Sequence, residues 1–567
     1  MNRDMKKIGI GYEDYKRFID DDLYYVDKTL LIRDIIEKGG EVTLFTRPRR
    51  FGKTLALSML RTFFECECDR QGNKVDNSRY FEGMKIMDTG EEILSHMGQY
   101  PVIKLSLKSA KQPDFRTALL NLKREIVDEF SRHDYLLDSN ELNDNDIAEY
   151  KKYRNPASAS DEDVDFSIAL KTLSQYLKMH HKKNVIILLD EYDVPLENAY
   201  YEGFYKEMVG FIRSLFESAL KTNDALERGI ITGCLRISKE SIFTGLNHLN
   251  IVSIRSNEYA EGFGFTQAET EGMLDHYGLN DKVEEVKEWY DGYIFGNSYV
   301  YCPWDVINYL SALKKRKDAK PKNYWKNTSH NGILLTFVKS TDFDVADKFE
   351  ILLNGGTITQ VISDELTYDT LHSTEDNLWS VLLMTGYITK SDPEEDGDTV
   401  SLKIPNKEIS SIFEDTVVKY FNETVNTAVV GELINTLWNG DEKRATEIVS
   451  ELLWNTISYN DYHEDYYHAF LAGVFVGRGY SVESNKEKGL GRPDILLKDR
   501  KNRRAMIIEA KKSDKESDLD KDCDKALKQI IDEKYAEGID GYEQIVCYGV
   551  AFFQKQAKAK VKLLTNK

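Results

Sequence analysis

The sequence predicts an α/β protein: a parallel sheet near the N-terminus, then a mostly helical region, then a smaller α/β region. Apolar runs typical of buried strands occur at residues 42–45 and 185–189, and continuous runs of this kind mark strands that are covered on both faces. Helical stretches such as residues 115–130 separate the strand candidates. This alternation predicts a parallel sheet with helices on both faces. Further strand candidates are residues 102–107, 229–232 and 251–254.

Length and composition indicate several ordered domains. A chain of 567 residues suggests two to four domains, at roughly 150 residues per domain. Hydrophobic residues make up 41% of the chain, which is enough to fill hydrophobic cores. The chain has only 10 Pro and 35 Gly, and this low content argues against low-complexity segments. We place the divisions at residues 1–264, 265–454 and 455–567, the middle part being a helical lid or winged-helix-like domain.

Charge and cysteine content exclude some classes of protein. A net charge of −20 disfavours binding of nucleic acid over the whole surface but allows a local basic groove. The six cysteines are too few and scattered for a disulfide scaffold. Cys66 and Cys68 resemble half of a metal site, but no second Cys/His pair follows at finger spacing, so we interpret them as reduced thiols. No signal core or membrane-length apolar run is present, which predicts a cytoplasmic protein without membrane partners.

Residues 42–64 have the order strand, loop, Gly-Lys-Thr, helix, which a phosphate-binding loop requires. Amides at the helix start face an anion there, and the helix dipole favours negative charge. Gly52 would let the backbone approach the ligand, Lys53 would reach the β- and γ-phosphates, and the Thr54 hydroxyl would ligate Mg²⁺. The generic motif has a glycine where this chain has Arg47, so a helix start with an exposed lysine is the alternative.

A second motif favours the nucleotide site. The apolar run at residues 185–189 ends in Asp190 and Glu191, and an acid there lies at the ligand-binding edge of an open α/β sheet. Asp190 would hold Mg²⁺, and Glu191 would orient or deprotonate the attacking water. Arg236 follows the strand candidate at residues 229–232 and could sense a γ-phosphate; the alternative is an ion pair with Asp193 or Glu191.

The C-terminal region contains a predicted β-hairpin with strands at residues 494–498 and 505–512. Side chains at positions i and i+2 of a strand share a face, so Glu509 and Lys511 point the same way, and Asp494 starts the neighbouring strand. The two carboxylates, with the carbonyl of Ala510, would bind Mg²⁺ or Mn²⁺, and the lysine would stabilise developing charge. This arrangement is typical of a Mg²⁺-dependent nuclease.

Local charge supports a nucleic-acid partner for the hairpin. Residues 486–515 contain 11 Lys/Arg and 5 Asp/Glu, a local net charge of +6 in a chain of −20. A groove that binds a phosphate backbone needs such a density. The alternative is a solvated hairpin, which often carries lysines.

Several motifs in matching order resemble one family. The segments TRPRRFGKTL, LLDEYDVPL, ITGCLRISKESIFTGLNHL, EWYDGYIFG and VYCPWDVINYL are similar to the AAA-ATPase-like family of prokaryotic proteins, which commonly carries a C-terminal nuclease-like domain of the PD-(D/E)XK superfamily. The resemblance implies a P-loop NTPase fold and a restriction-endonuclease-like fold. In that family the Arg-Pro-Arg-Arg lead replaces the first glycine, and the flanking residues Arg49, Arg50, Phe51 and Leu55 are assigned to ATP binding with the Gly-Lys-Thr motif.

The same resemblance assigns the C-terminal residues. GRPD followed by EAK resembles the PD-(D/E)XK motif, with Asp494, Glu509 and Lys511 in its three positions. Glu464 matches the acid of an upstream helix, and Gln529 matches a glutamine found after the core in many members.

These observations predict an ATPase coupled to a Mg²⁺-dependent nuclease that acts on DNA. The alternative is a nucleotide-switch protein whose nuclease-like domain binds nucleic acid without cleaving it. A signalling ATPase with a protein partner would leave the basic hairpin without a role. A homo-oligomer is compatible with the sequence.

Overall fold

A computed structural model describes most of the chain. The described residues are 5–69, 71–155, 157, 160, 164–236, 242–243, 249–325, 346–353, 355–364, 366, 374–395, 397–413, 416, 427–456, 467, 471, 481–484, 493–499, 502–537, 539 and 541–565. Two compact units result: Met1–Asn327 with Thr359–Glu408, and Thr328–Ile358 with Ile409–Lys567. The division of the chain into three domains stays a prediction.

The first unit is built on a five-stranded sheet with the order β2-β3-β4-β1-β5. Every neighbouring pair is parallel, which confirms the predicted parallel sheet. Its strands are β1 Val42–Thr46, β2 Val102–Ser106, β3 Val185–Asp190, β4 Leu226–Gly233 and β5 Leu249–Val252.

Helices connect and cover these strands. They are α1 Tyr15–Asp20, α2 Leu30–Lys38, α3 Lys53–Phe64, α4 Glu91–Leu94, α5 Phe115–Arg132, α6 Asp144–Arg154, α7 Ala169–His181, α8 Val194–Glu202 and α9 Tyr205–Leu220. Strands β1 and β3 are buried at every position, as their continuous apolar runs predict.

The pairing register brings the carboxyl ends of β1, β3 and β4 to the same edge of the sheet. Thr46 of β1 lies opposite Gly233 of β4, and Ser106 of β2 lies opposite Asp190 of β3. Because parallel strands end at the same edge, the residues that follow β1, β4 and β3 meet there, with β4 in the middle.

Shorter elements complete the first unit. They are α10 Gln267–His276, α11 Val283–Tyr290, the hairpin β6 Tyr293–Phe295 and β7 Ser298–Val300, α12 Pro303–Lys315, β8 Ile358–Val361, α14 Glu375–Thr385, β9 Thr389–Lys390 and β10 Thr399–Lys403. Helices α10 to α12 share a core that contains Leu274, Val286, Tyr290 and Tyr309. This mostly helical segment agrees with the predicted fold class.

The second unit contains a mixed sheet with the order β11-β12-β13-β14-β15. Only β13 and β14 pair in parallel; the other neighbours are antiparallel. The elements are α13 Ala346–Leu353, α15 Thr427–Asn439, α16 Glu442–Thr456, β11 Ser481–Ser484, β12 Ile495–Asp499, β13 Arg504–Lys512, α17 Leu519–Asp532, β14 Gln544–Phe553 and β15 Gln556–Thr565. Antiparallel β12 and β13 are the predicted hairpin.

Alternating side chains of this sheet fill two cores. Ile495, Leu497 and Ile508 pack with residues of α15 and α16, whereas Leu496 and Ile507 pack with α17 and the residues after it. Polar contacts reinforce the first core: Tyr548 Oη donates to Leu437 O at 3.1 Å, and Ala557 N donates to Ser450 Oγ at 3.0 Å.

Among the described residues, no helix combines the length and apolar character that crossing a bilayer requires.

Because α15 and α16 pack against the C-terminal sheet, a C-terminal fragment should need both helices to fold. A fragment of residues 427–567 should unfold cooperatively, whereas one of residues 455–567 should lack a cooperative transition. The reason is the loss of buried Leu433, Ile448 and Leu453, each worth about 1.5–3 kcal/mol in a domain of typical stability about 5–15 kcal/mol. Urea unfolding followed by circular dichroism tests this, and equal midpoints for the two fragments would contradict it.

Candidate functional site

The predicted phosphate loop lies between β1 and α3. Arg50 and Gly52 both have left-handed backbone conformations, with φ of 75° and 83°. Glycine adopts this conformation without the steric cost that a side chain brings. Gly52 caps α3, so the first amides of that helix are open toward the loop, as an anion site requires.

Lys53 lies inside this loop. Its side chain is 6% exposed, and Nζ donates to Arg47 O and Pro48 O, both at 2.9 Å. A buried ammonium needs such acceptors because an unpaired buried charge is costly. The lysine is thus held by loop carbonyls, which contradicts the alternative of an exposed lysine.

Asp190, at the end of β3, connects the start of α3 with the end of β4. Thr54 Oγ1 donates to Asp190 Oδ2 at 2.7 Å, and Thr232 Oγ1, near the end of β4, donates to Asp190 Oδ1 at 2.6 Å. Asp190 is 1% exposed. In octahedral coordination two adjacent Mg²⁺ ligands, each bound at ~2.1 Å, lie about 3.0 Å apart. The distance between the Thr54 and Asp190 oxygens therefore fits two adjacent ligands of one magnesium ion.

Sequence reasoning missed Thr232. It is the last residue of the strand candidate at residues 229–232, and its polar side chain at an otherwise apolar strand end was the available signal.

Glu191 follows directly and has a left-handed backbone conformation, with φ of 51°. That conformation is unusual for a residue with a side chain and often marks a functional position. Burial raises the pKa of the Glu191 carboxyl, while Lys53 acts in the opposite direction. A raised pKa makes a carboxylate a better general base near neutral pH.

Arg47, which stands in place of the motif's first glycine, is completely buried. Its Nη1 donates to Thr46 O and Val252 O, both at 3.0 Å, and its guanidinium lies over the rings of Phe263 and Phe295. Burial lowers its pKa to about 9. These contacts fasten the loop to the end of β5.

The residues beside the Gly-Lys-Thr motif have varied surroundings. Arg49 forms an ion pair with Glu197. Phe51 is buried, and its ring contacts the rings of Tyr293 and Phe295, so the Phe51 side chain belongs to the core. Leu55 is partly buried in the first turn of α3. Their assignment to nucleotide binding stays a prediction.

Arg50 connects the loop to the helical segment. Its guanidinium stacks 4.6 Å from the ring of Trp304 and donates to Tyr324 O at 2.9 Å. Trp325 N donates to Glu408 Oε1 at 3.0 Å, and Tyr324 N donates to the same oxygen. Glu408 therefore holds the turn whose carbonyl receives Arg50.

Two buried carboxyl groups meet beside Arg50. Burial raises the pKa of both Asp305 and Glu408, and each is affected by the other. Two carboxylates in one buried site cannot both ionise cheaply. One proton shared by the pair leaves one group neutral and the other ionised, which avoids two adjacent buried charges.

This pair should make stability depend on pH. A carboxyl group whose pKa is raised in the folded state stabilises the fold at low pH, where it is protonated. This stabilisation is lost as the pH rises from the ordinary pKa of a carboxyl group through its pKa in the folded state. Between about pH 5 and pH 9 the loss can reach about 1.4 kcal/mol per pH unit.

Glu408→Gln keeps the acceptor for Tyr324 N and Trp325 N and mimics the protonated acid, so its melting temperature should fall less with pH than that of the wild type. Glu408→Ala should be destabilised at low pH by about 1–3 kcal/mol, because Tyr324 N and Trp325 N lose their acceptor. Calorimetric melts across this range check the prediction, and identical slopes for wild type and Glu408→Gln would refute the shared proton.

Arg236 lies just beyond β4, and its carbonyl accepts from Leu366 N at 3.4 Å. Asp193, one of the two carboxylates considered as ion-pair partners of Arg236, accepts at Oδ2 from Cys234 N at 2.8 Å and Leu235 N at 3.0 Å. The role of Arg236 as a γ-phosphate sensor stays a prediction.

A second candidate site lies where β12 begins and β13 ends. Ala510 N donates to Asp494 Oδ2 at 2.7 Å, Asp494 N lies 3.4 Å from Glu509 Oε2, and Lys511 Nζ lies 3.3 Å from Glu509 Oε1. The structure thus brings together Asp494, Glu509, Ala510 and Lys511, as the hairpin pattern predicts. Two carboxylates and an ammonium are suited to a divalent cation and a phosphate.

Glu509 is 1% exposed. Burial, reinforced by the nearby Asp494 carboxylate, raises its pKa to about 7, while Lys511 acts in the opposite direction. Two close carboxylates beside a single ammonium favour either a proton or a metal ion.

Gln529 approaches the same face of the sheet from α17. Its Nε2 donates to Tyr535 Oη at 3.2 Å, and the Glu509 carboxylate contributes to the raised pKa of Tyr535, after burial. Helix α17 can come close because Gly549 on β14 lies opposite Glu509; a Cβ at Gly549 would stand 2.4 Å from Cys523 O. Sequence reasoning missed Tyr535 and Gly549.

Glu464 lies outside the described residues. Tyr467 and Leu471, farther along that segment, are helical and buried, and the Tyr467 ring stacks on Phe552 with centroids 4.2 Å apart. In the part of the chain that the structure describes, no three His, Cys, Asp or Glu side chains cluster as metal ligands.

Ion pairs reduce the predicted basic character of the hairpin. Arg503 Nη1 lies 2.8 Å from Glu543 Oε1, and Arg504 Nε lies 2.9 Å from Asp499 Oδ2. Glu543 lies outside the segment whose charge was counted, so the local charge of +6 overstates the positive surface.

Comparisons with known proteins agree with both regions. Residues 9–243 match the family model described as a predicted AAA-ATPase, and residues 462–562 match the PD-(D/E)XK nuclease superfamily. A protein of Azotobacter chroococcum mcd 1, named "Uncharacterized protein in vnfD 5'region", is 24% identical over 510 residues, which cover 87% of each chain. The two resemblances drawn from the sequence motifs are thereby confirmed.

Proposed function

Since the chain carries an AAA-ATPase-like region followed by a PD-(D/E)XK nuclease-superfamily region, we propose that it hydrolyses ATP at the first site and cleaves DNA at the second. The observation that carries the ATPase is the convergence of Lys53, Thr54, Asp190 and Glu191 at one sheet edge. We place the protein in the cytoplasm, where both substrates occur.

Each residue of the first site has a role in this proposal. The Lys53 ammonium would leave the loop carbonyls for the β- and γ-phosphates. Thr54 and Asp190 would hold Mg²⁺, which would neutralise phosphate charge. Glu191 orients and deprotonates the attacking water. Thr232 keeps Asp190 oriented through its 2.6 Å hydrogen bond.

Two substitutions separate binding from hydrolysis. Lys53→Ala removes the charge at the phosphates and should abolish both tight ATP binding and turnover. Glu191→Gln should keep ATP binding and lose about 10²–10⁴-fold in kcat, the usual contribution of a general base. Phosphate-release assays and titration with a fluorescent ATP analogue test this, and turnover by Glu191→Gln at the wild-type rate would exclude Glu191 as the base.

The second site supports phosphodiester cleavage. Asp494 and Glu509 would hold Mg²⁺ or Mn²⁺, with the Ala510 carbonyl as a further ligand, and the ion would polarise the scissile phosphate and supply an activated water. Lys511 would stabilise the charge that develops on the phosphate. Gln529, which donates to Tyr535, and Glu464 are proposed to complete the site.

Substitutions at Lys511 and Asp494 should have different effects. Lys511→Ala leaves both metal ligands and should abolish cleavage while sparing Mn²⁺ binding. Asp494→Asn should weaken both, because it removes a carboxylate ligand. Calorimetry with Mn²⁺ and plasmid nicking, each with and without ATP, test this. Nicking by both variants at the wild-type rate would assign the activity to another site or to contamination.

A nucleotide-switch protein that binds nucleic acid without cleaving it is the second candidate. The ion pair between Lys511 and Glu509 favours it, because the lysine already balances one carboxylate. A wild-type protein that binds DNA in an ATP-dependent manner but nicks no supercoiled, linear or single-stranded substrate would support this candidate.

A further inference from the structure

We propose that Tyr192 and Asp193 form a positioning clamp that fixes residues 234 and 235 relative to Glu191, so that the proposed base and Arg236, the next residue, face the same γ-phosphate. The proposal rests on the ATPase activity proposed above and assigns positioning roles to two residues next to the base.

Asp193 forms one half of the clamp. Its Oδ2 accepts from two consecutive amides, Cys234 N at 2.8 Å and Leu235 N at 3.0 Å. The side chain is 4% exposed, and a buried carboxylate that accepts amide hydrogens makes strong, charge-assisted bonds. These bonds hold the chain as it leaves β4.

Tyr192 forms the other half. Its backbone N donates to Thr232 O at 3.1 Å, and its Oη donates to Leu235 O at 2.6 Å. The completely buried ring contacts the rings of Phe216 and Phe243, which restricts its motion. Tyr192 thus spans residues 232 to 235.

Gly233 makes this close approach feasible. A Cβ at Gly233 would stand 2.5 Å from Tyr192 Cε1 and 2.9 Å from Asp193 Oδ1, closer than side chains approach in folded proteins. The Tyr192 ring and the Asp193 carboxylate therefore lie directly against the β4 backbone.

The clamp connects groups assigned to the phosphates. Glu191 precedes it in the same turn, where Val194 N donates to Glu191 O at 3.2 Å. Cys234, which Asp193 holds, has its Sγ 3.4 Å from Lys53 Nζ. Arg236 follows the clamped residues by one position. A clamp between these elements fixes the spacing of three charged groups around one ligand.

Loss of the clamp should affect catalysis more than binding. Most of the proposed ATP-binding contacts come from the backbone of the loop and the first turn of α3, which the clamp touches only where Cys234 contacts Lys53. Alignment of the water and γ-phosphate depends instead on Glu191 and Arg236. Misplacement by about 1 Å can cost up to about 10²-fold in rate. Tyr192→Phe and Asp193→Asn should therefore lower kcat about tenfold and leave KM for ATP within about twofold.

The matched control is Tyr150→Phe. Tyr150 is also completely buried, and its Oη donates to Phe130 O at 2.5 Å, between α6 and α5. Its removal deletes an equivalent hydrogen bond elsewhere in the first unit. Tyr150→Phe should lower the melting temperature about as much as Tyr192→Phe but leave kcat unchanged.

The experiment measures kcat and KM for ATP in the full chain for the wild type, Tyr192→Phe, Asp193→Asn, Tyr150→Phe, Arg236→Ala and the double variant Tyr192→Phe/Arg236→Ala. A clamp that acts through Arg236 predicts that Tyr192→Phe adds less than about threefold to the loss in Arg236→Ala. Wild-type kcat in Tyr192→Phe and Asp193→Asn, or equal losses in Tyr150→Phe, would overturn the clamp. No hydrolysis by the wild type above Lys53→Ala would instead overturn the proposed ATPase.

Discussion

The first site depends on the parallel register of three strands. Thr46 of β1 stands level with Gly233 of β4, and β4 separates β1 from β3. Only this alignment lets Thr54, at the start of the helix after β1, reach Asp190 at the end of β3. A shift of one residue moves a strand by about 3.3 Å, more than the whole Thr54–Asp190 hydrogen bond. The apolar strands thus act on the chemistry indirectly: their burial fixes the register, and the register sets the distance between the two proposed magnesium ligands.

Buried charges at that edge follow a common rule. Lys53 is held by carbonyls of its own loop, Asp190 by two hydroxyls, and Arg47 by carbonyls and aromatic rings. None of these arrangements neutralises a charge with an opposite charge in direct contact. A neutral dipole can be exchanged for a ligand without separating an ion pair, which costs far more in a low-dielectric interior. The loop is therefore suited to exchange carbonyls for phosphate oxygens around Lys53.

Local patterns in the sequence revealed a large part of this architecture. The apolar runs predicted the parallel strands, and the alternation of side chains along a strand predicted the hairpin that carries Glu509 and Lys511, because strand and helix periodicity are local properties. The contacts of Thr232 with Asp190 and of Glu408 with Tyr324 could not be found in that way, since they join residues that are far apart in the chain. The packing of α15 and α16 on the C-terminal sheet was also missed. The pattern of an amphipathic helix indicates that one face is buried, but it does not indicate which element covers that face.

Glycine has a comparable role at both sites, although they lie in different folds. Gly233 lets the Tyr192 ring and the Asp193 carboxylate lie against β4, and Gly549 lets the backbone of α17 lie against β14 opposite Glu509. In each case the glycine lies on a strand next to the strand that supplies an acidic residue. The segment that packs against this glycine carries a polar side chain, Asp193 or Gln529. A larger residue would keep the sheet but push this polar group away by the thickness of a side chain. The geometry around each acid is therefore determined as much by the absence of a side chain on the neighbouring strand as by the acidic residue itself.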